Sequence, residues 1–229
     1  MYQMKVYWQQ ENNVGDKLTP FILKRVFNID CEFSKGKGKL LAIGSILSHA
    51  EDGDYIWGSG LISPKHLPKS QNLNILALRG PLTRKHLENY GVEIENKIVY
   101  GDPALLLRLI YSPEKLEKTK EGIVPHYTDL KWAKKAFKKR VERGEVKIID
   151  PRLPIEEFIN ELVSCEYIFS SSLHGLIIAD AYNIPNERVI FGNKLIGGDF
   201  KFNDYEASKD YINLNDLIES FKISRHKIL

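Results

Sequence analysis

The chain has 229 residues, of which 43% are hydrophobic and 28% charged, and its formal net charge at pH 7 is +3. This small charge argues against a nucleic-acid-binding protein, and no segment has the run of about 20 apolar residues that a membrane-spanning helix needs. The first residues lack a secretory signal pattern, and the two cysteines, Cys31 and Cys165, favour a reducing cytosol over a disulfide framework.

Along the first half of the chain, short apolar runs typical of strands alternate with helix patterns. Thr19 and Pro20 are typical of a helix start, because a hydroxyl accepts an unpaired N–H and proline is tolerated in the first turn. Gly91 is typical of a helix end, and Asp102 before Pro103 is typical of a helix cap. The predicted strands are 5–8, 40–45, 55–60, 74–78 and 98–101. One predicted helix starts at 19, and two others span 81–90 and 104–110.

The second half repeats the alternation after a polar stretch, 112–121, that is typical of a linker. This order predicts an α/β fold with parallel sheets, organised as two Rossmann-like domains, 1–111 and 122–229, that face a cleft. The predicted strands are 122–127, 146–150, 165–170 and 188–192, and the predicted helices are 129–143, 155–163, one from 173 that Pro185 ends, and 214–221.

The helix pattern at 129–143 carries the one basic cluster of the chain, between Lys131 and Arg143. Trp132, Ala136, Phe137 and Val141 recur in it at helical spacing, which is typical of an amphipathic surface helix. Contact with an anionic membrane surface or a polyanion is the alternative interpretation.

The join between the strand at 165–170 and the following helix is a candidate anion site. It reads Ser170-Ser171-Ser172-Leu173-His174. A helix that begins directly after a strand leaves its first N–H groups unpaired at the carboxyl edge of the sheet, where α/β proteins bind ligands. His174 is therefore predicted to contact a ligand, and a buried structural histidine is the alternative.

Other candidates also end predicted strands. Arg79 has a planar fork that suits a carboxylate or phosphate ligand, although it could instead pair with a neighbouring carboxylate. His126 leaves its strand in an extended conformation and is open to a functional or a structural role. Asp102 and Asp150 each precede a proline. Asp102 is interpreted as a helix cap and Asp150 as a turn former, and a role in the site is the alternative for each. The motifs of dinucleotide enzymes, P-loop NTPases and α/β-hydrolases are absent, and no zinc site is expected.

Seven short motifs occur in an order that resembles the polysaccharide pyruvyl transferases. The resemblance implies a GT-B-like arrangement of the two domains and transfer of pyruvate from phosphoenolpyruvate onto two hydroxyls of a sugar, in a polysaccharide or its lipid-linked precursor, as a cyclic ketal. It implies that the enzyme needs no metal and no cofactor besides phosphoenolpyruvate as the donor substrate. It also implies a cytoplasmic enzyme and leaves open a peripheral contact with the inner membrane surface. The motifs are Asn13-x-Gly15-Asp16, Gly44-Ser45, Trp57-Gly58-Ser59-Gly60, Ala77-Leu78-Arg79-Gly80-Pro81, Gly101-Asp102-Pro103-Ala104, Pro125-His126-Tyr127 and Ser171-Ser172-Leu173-His174-Gly175.

The resemblance also implies roles for single residues. Arg79 would grip the donor, with Leu173 and His174 lying against it and His174 as the proton donor. Asn13 and Asp16, the second predicted catalytic residue, would line the acceptor side in the N-terminal domain, and His126 would face the cleft from the second domain. The other expected substrate-binding residues are Gly58, Ser59, Ser171, Ser172 and Gly175.

Two alternatives stay open, the first because a fold by itself does not choose a donor and the second because an arginine is missing at the position of Ser172. One is a GT-B glycosyltransferase that uses a nucleotide sugar, and the other is a non-catalytic carbohydrate-binding protein. Many members of the family that the chain resembles carry arginine at the position of Ser172, so a cationic donor ligand must be replaced here by serines, helix amides or a lysine such as Lys201.

Overall fold

The chain forms two parallel β-sheets flanked by helices in a computed structural model that describes residues 3–113, 119–191 and 197–228. The strands are β1 (Met4–Tyr7), β2 (Cys31–Phe33), β3 (Leu40–Leu41), β4 (Tyr55–Trp57), β5 (Asn74–Leu78), β6 (Val99–Tyr100), β7 (Thr119–Val124), β8 (Val146–Ile148), β9 (Cys165–Ser170) and β10 (Asn186–Arg188). The α-helices are α1 (Val14–Phe27), α2 (Pro81–Tyr90), α3 (Leu107–Ile110), α4 (Leu130–Ala136), α5 (Lys138–Glu142), α6 (Ile155–Val163), α7 (Leu173–Ala181), α8 (Phe200–Glu206) and α9 (Leu214–Ile228).

These elements form two compact units. Among the described residues, the first unit contains 3–10, 18–103 and 197–228, and the second contains 11–17, 104–113 and 119–191. This division differs from the predicted boundaries in two places. Residues 197–228 belong to the first unit, because the Trp57 indole donates to the Leu217 carbonyl oxygen at 2.9 Å and Asp204 pairs with Arg79. Residues 11–17 belong to the second unit.

The first unit is built on six parallel strands in the order β2-β1-β3-β4-β5-β6. Helices cover this sheet, and α9 packs against β4, β5 and β6. Both residues of β3, an interior strand between β1 and β4, are fully buried. One part of the core packs around β3, β4 and α2. Its buried members are Tyr7, Leu41, Ile46, Leu47, Ala50, Ile56, Leu61, Leu78, Leu87 and Val92.

The second unit is built on four parallel strands in the order β10-β9-β7-β8. The chain runs from β7 out to β8 and then back past β7 to β9, so the direction of winding reverses between β7 and β9. The two strands pair in register, with Val124 opposite Ser170 at their carboxyl ends. In open α/β sheets, the crevice outside such a reversal is where ligands bind.

Parallel sheets in both halves confirm the predicted α/β, Rossmann-like class. The GT-B-like arrangement of two domains stays a prediction. Several elements follow the sequence closely, and α2 ends at Gly91 in the left-handed region, with φ of 98°. The last residues of the predicted linker 112–121 belong to β7, and residues 114–118 of that linker lie outside the described residues. Gly192, at the end of the predicted strand 188–192, also lies outside the described residues.

The predicted start of the first helix at Thr19 was wrong, because α1 begins at Val14. Asn13 caps the helix, since its side-chain oxygen accepts the N–H of Asp16 at 3.3 Å and its amide donates to the Asp16 carboxylate. Pro20 lies inside the helix, and the Thr19 hydroxyl instead accepts the N–H of Ile43 at 3.2 Å.

Five further elements differ from the sequence prediction. The strand β2 and the helix α8 were not predicted, and α9 runs seven residues past the predicted end at 221 to Ile228. The predicted helix 129–143 is interrupted at Phe137, the residue between α4 and α5. Its φ of −98° and ψ of 7° are not those of an α-helix. The predicted helix from 104 starts as a 3-10 turn, Pro103–Leu106, before α3.

Candidate active site

The candidate site lies at the carboxyl ends of β7 and β9, in the second unit. His126 follows β7 by two residues, and His174 is the second residue of α7, which starts just after β9. The two histidines therefore flank the reversal point of the four-stranded sheet. The expectation from the sequence that both follow strand ends is confirmed by the topology.

The serine run after β9 holds this edge together through backbone contacts. The Ser170 hydroxyl lies 3.1 Å from the Val124 carbonyl oxygen and 2.8 Å from the Ser172 carbonyl oxygen, and it accepts the Ser172 N–H at 3.0 Å. The Ser171 hydroxyl accepts the N–H of His126 at 2.8 Å. Ser171 therefore positions His126, and its predicted contact with substrate stays a prediction.

Helix α7 is pinned against the strands by a glycine in its first turn. A Cβ at Gly175 would lie 2.3 Å from the Ser170 hydroxyl and 2.9 Å from a Val124 methyl, so only glycine lets the helix start this close. Leu173 is buried beside it. Ser172 is the N-cap residue, and its side chain makes no hydrogen bond to the helix. These contacts thus fix the start of α7, which carries His174.

Residues 11–17 bring the Asn13-x-Gly15-Asp16 motif to this edge. The Val14 N–H donates to the Pro151 carbonyl oxygen at 2.6 Å. Gly15 packs against the imidazole of His174, and a Cβ at this glycine would lie 2.1 Å from Nδ1. The two motifs, far apart in sequence, therefore meet in the second unit.

The loop after β8 receives the start of α1, and Asp150 shapes this loop. The Asp150 carboxylate accepts three hydrogen bonds from Arg152, two from the guanidinium and one from the backbone, at 2.8 to 3.0 Å. The adjacent guanidinium holds the pKa of the Asp150 carboxyl below its usual value. The Arg152 carbonyl oxygen also accepts from Lys17 Nζ at 3.3 Å. Of the two roles that the sequence left open for Asp150, the structure shows the turn former.

His126 is held on both its backbone and its ring. Its Nδ1 lies 2.8 Å from the Thr128 hydroxyl, and its ring packs on Tyr127 with centroids 4.5 Å apart. The side chain is partly exposed at the edge of the sheet. The structure thus shows how His126 is held, and its contact with substrate stays a prediction.

Arg79 lies in the first unit, where its guanidinium is engaged. It is 0% exposed, and it pairs with Asp204, also 0% exposed, through Nε at 3.0 Å and Nη2 at 2.9 Å. Its other contacts are to the Ser45 hydroxyl at 2.6 Å and the Leu61 carbonyl oxygen at 2.7 Å. The structure thus shows the paired arrangement that the sequence left open, and donor binding by Arg79 stays a prediction.

The predicted residues Gly58 and Ser59 also belong to the first unit and serve its packing. Gly58 has φ of 86°, and a Cβ there would lie 2.3 Å from Pro103 Cδ. The Ser59 hydroxyl donates to the Gly44 carbonyl oxygen at 2.9 Å. Both residues shape the end of β4.

The structure therefore divides the predicted site between the units. It gathers the two motif ends around His174, including Asn13 and Asp16, which the resemblance had assigned to the domain on the acceptor side. The sequence indicated Gly15 only as part of its motif, without a role of its own, and it did not indicate Asp204. The second-unit group is Asn13, Asp16, His126, Ser171, Ser172, Leu173, His174 and Gly175, and the first-unit group is Gly58, Ser59 and Arg79.

Three findings concern metal, thiol and membrane chemistry. Within residues 3–113, 119–191 and 197–228, no group of three or more His, Cys, Asp or Glu side chains is arranged to hold a metal ion. Cys31 and Cys165 are free thiols, and burial raises the pKa of Cys31 to about 11. None of the helices in these ranges has the length and apolar character needed to cross a bilayer. That the reaction needs no metal or cofactor stays a prediction.

A sequence profile of the family described as polysaccharide pyruvyl transferase matches residues 65–186, which is more than half of the chain. The matched region includes Arg79, His126 and His174. The chain belongs to the polysaccharide pyruvyl transferase family. Within that family match, α7 and the serine run lie near the C-terminal limit of the matched region.

Two curated relatives extend the similarity beyond the matched region. The uncharacterized protein L143 of Acanthamoeba polyphaga mimivirus is 27% identical over 211 residues, covering 87% of this chain and 71% of that protein. The succinoglycan biosynthesis protein ExoV of Rhizobium meliloti (strain 1021) is 26% identical over 211 residues, covering 87% of this chain and 62% of ExoV. The chain thus spans less than two thirds of ExoV. No solved structure matches the chain.

Proposed function

We propose that this member of the polysaccharide pyruvyl transferase family transfers pyruvate from phosphoenolpyruvate onto two hydroxyls of one sugar, in a polysaccharide or its lipid-linked precursor. The family match supports pyruvyl transfer as the reaction. The similarity to ExoV, named for succinoglycan biosynthesis, supports a polysaccharide as the product. Both favour this function over a nucleotide-sugar glycosyltransferase or a non-catalytic carbohydrate-binding protein.

The observation that carries the proposal is the packing of Gly15 against His174 at the reversal point between β7 and β9. It sets a partly buried imidazole at a helix start, beside the carboxylate-bearing turn of Asn13 and Asp16. A proton donor and a proton acceptor on neighbouring segments are what ketal formation from an enol phosphate needs.

The proposed reaction has four steps. An acid protonates the methylene carbon of phosphoenolpyruvate, which leaves positive charge at the carbon that bears the phosphate ester. The first sugar hydroxyl adds to that carbon and releases its proton. The carbon–oxygen bond to phosphate then breaks, and phosphate leaves. The second hydroxyl adds to the same carbon and loses its proton, which closes the ketal. The protons balance, because the two hydroxyls lose two protons while the methyl group gains one and the released phosphate takes up the other.

Within this scheme His174 is the acid, because imidazole donates protons readily near neutral pH. The first N–H groups of α7 and the Ser172 hydroxyl bind the carboxylate or phosphate of the donor, since a helix N-terminus favours anions. Asp16 accepts a proton from the acceptor sugar, and His126 contacts the substrate from the β7 side. Arg79 is assigned a structural role here, because its fork already binds Asp204, Ser45 and the Leu61 carbonyl.

The direct test is phosphate release from phosphoenolpyruvate in the presence of galactose, mannose and N-acetylmannosamine glycosides, one acceptor at a time. We expect release that depends on one acceptor and a product heavier by a pyruvate ketal in mass spectrometry. A thermal-shift titration with nucleotide sugars runs beside it. Stabilisation by nucleotide sugars with none by phosphoenolpyruvate would instead assign the chain to glycosyl transfer and refute the proposal.

A further inference from the structure

An exposed apolar cluster lies in the second unit, and none of its members is a candidate site residue. The Trp132 ring packs against Phe191 and Phe137, with centroid separations of 5.4 and 6.2 Å, and the two phenylalanine rings are 5.8 Å apart. Trp132 is 48% exposed, and Ile190, next to Phe191, is 63% exposed. Scattered apolar side chains are normal on a protein surface, but three aromatic rings in mutual contact with an exposed member are typical of a binding surface.

Three exposed lysines lie on α4 and α5, the helices on either side of Phe137. Lys135 is three residues after Trp132 on α4, so the two share a helix face, and Lys131 is four residues before Lys135. Lys139 continues the series on α5. Across residues 3–113, 119–191 and 197–228, these three lysines form no ion pair, whereas Arg140 pairs with Glu121. The cluster and the three lysines together are called the Trp132 surface.

We propose that the Trp132 surface docks on an anionic lipid bilayer. Unpaired lysines are attracted to the negative surface of such a membrane, and an indole ring among aliphatic neighbours enters the interfacial layer between head groups and acyl chains. An anionic bilayer thus offers negative charge to the three lysines and an apolar layer to the Trp132 ring.

Two other occupants fit the surface less well. A soluble polyanion would neutralise the lysines but leave Ile190 and Trp132 in water. A second copy of the chain, related by a two-fold axis, would bury the aromatic cluster but bring the same three lysines face to face, where like charges repel. The bilayer is the occupant that satisfies both features.

This inference does not rest on the proposed function, because the Trp132 surface contains none of the candidate site residues. The direct test is sedimentation of the full chain with vesicles made of equal parts phosphatidylcholine and phosphatidylglycerol, and with vesicles of phosphatidylcholine alone. We expect binding to the anionic vesicles that decreases steeply with added salt, and weak binding to the neutral ones.

A triple lysine variant and a matched control locate the binding. Replacing Lys131, Lys135 and Lys139 by glutamine should weaken binding on the order of a hundredfold, since each lysine near an anionic surface contributes about fivefold. The control replaces Lys65, Lys85 and Lys97, three exposed lysines of the first unit, by glutamine and changes the net charge equally. The control should bind nearly as well as the unchanged chain.

The apolar part is tested at Trp132. The Trp132→Ala variant should lose most of the binding, while Trp132→Phe should retain it but lose the blue shift of tryptophan emission that vesicles induce in the unchanged chain. The proposal is overturned if the unchanged chain ignores anionic vesicles, if it binds neutral vesicles equally well, or if the control loses as much binding as the Lys131, Lys135 and Lys139 variant. It is also overturned if Trp132→Ala dissociates a dimer and leaves vesicle binding intact.

Discussion

Gly15 lies directly against the imidazole of His174, so closely that a Cβ on this glycine would stand 2.1 Å from Nδ1. The contact joins the N-terminal Asn13-x-Gly15-Asp16 motif to the Leu173-His174-Gly175 motif in the second unit. Because no side chain fits between the α1 backbone and the ring, Gly15 sets the position of His174.

The first prediction follows from this contact. Gly15 lies within α1, where alanine is the better helix former by about 1 kcal/mol, so local propensity would favour a Gly15→Ala change. We expect the variant instead to displace His174 and to lower pyruvyl transfer by about a hundredfold or more. The rate of phosphate release and the imidazole resonances of His174 in NMR spectra measure the two effects. The control is Gly36→Ala, at an exposed glycine with no atom closer than 3.5 Å to the added Cβ, and unchanged activity in both variants would contradict the assignment.

The second prediction concerns the buried pair of Arg79 and Asp204. Replacing Arg79 by methionine leaves an uncompensated carboxylate in the core, which should lower the free energy of unfolding by about 3 to 5 kcal/mol. Adding Asp204→Asn should recover part of the loss, because the second change removes the buried charge. Urea unfolding measures both.

The control for Arg79 is Arg143→Met, at a side chain that is 61% exposed and pairs with Glu145, which should cost less than about 1 kcal/mol. If Arg79→Met unfolds at the same urea concentration as the unchanged chain but no longer binds phosphoenolpyruvate, Arg79 is a donor ligand after all, as the resemblance implies, and its structural assignment fails.

The third prediction separates two adjacent serines. Ser171→Ala removes the acceptor of the His126 N–H and should lower the free energy of unfolding by about 1 to 3 kcal/mol. Ser172→Ala should cost less than about 0.5 kcal/mol, because its side chain makes no bond to the helix. The His126 imidazole resonance should shift in the first variant alone. Equal destabilisation by the two changes would show that Ser171 does not hold His126.

The fourth prediction concerns pH. The pKa of Asp150 is lowered in the folded chain by Arg152, so the pair stabilises the fold above the ordinary carboxyl pKa of about 3.9, and this contribution is lost as the pH falls through the lower folded value. Asp150→Asn should therefore lower the free energy of unfolding by about 0.5 to 1 kcal/mol at neutral pH, and the difference should disappear in strong acid. Urea unfolding across this pH range checks the trend against Asp52→Asn, whose ion pair with Lys37 spans 3.9 Å at the surface. A constant difference at every pH would contradict it.

Much of the fold could be predicted from local signals. The helix α2 runs from Pro81 to Tyr90 as predicted because proline and Gly91 mark its two ends, and β9 followed by α7 was apparent from an apolar run and a helix pattern. The start of α1 was missed because Pro20 was taken as a first-turn proline. The spacing of Asn13 and Asp16, typical of a capping box, was the signal that marks the true start.

The candidate site was only partly predictable. Strand-end positions correctly placed His126 and His174 at one edge of a sheet, because that edge follows from the chain order of strands and helices. The pairing of Arg79 with Asp204 was not predictable, since it joins residues 125 positions apart and depends on α8, a helix with no clear sequence pattern. The packing of Gly15 on His174 likewise follows from tertiary structure alone.

The fifth prediction tests the central claim, that His174 is the acid of a pyruvyl transfer. The measurement is the initial rate of phosphate release from phosphoenolpyruvate, with the acceptor that the unchanged chain uses, for His174→Gln in protein whose circular dichroism and urea midpoint match the unchanged chain. We expect a loss of about a hundredfold or more, because a positioned acid contributes roughly 10² to 10⁴ to the rate. Phosphate release by this variant at the unchanged rate would contradict it.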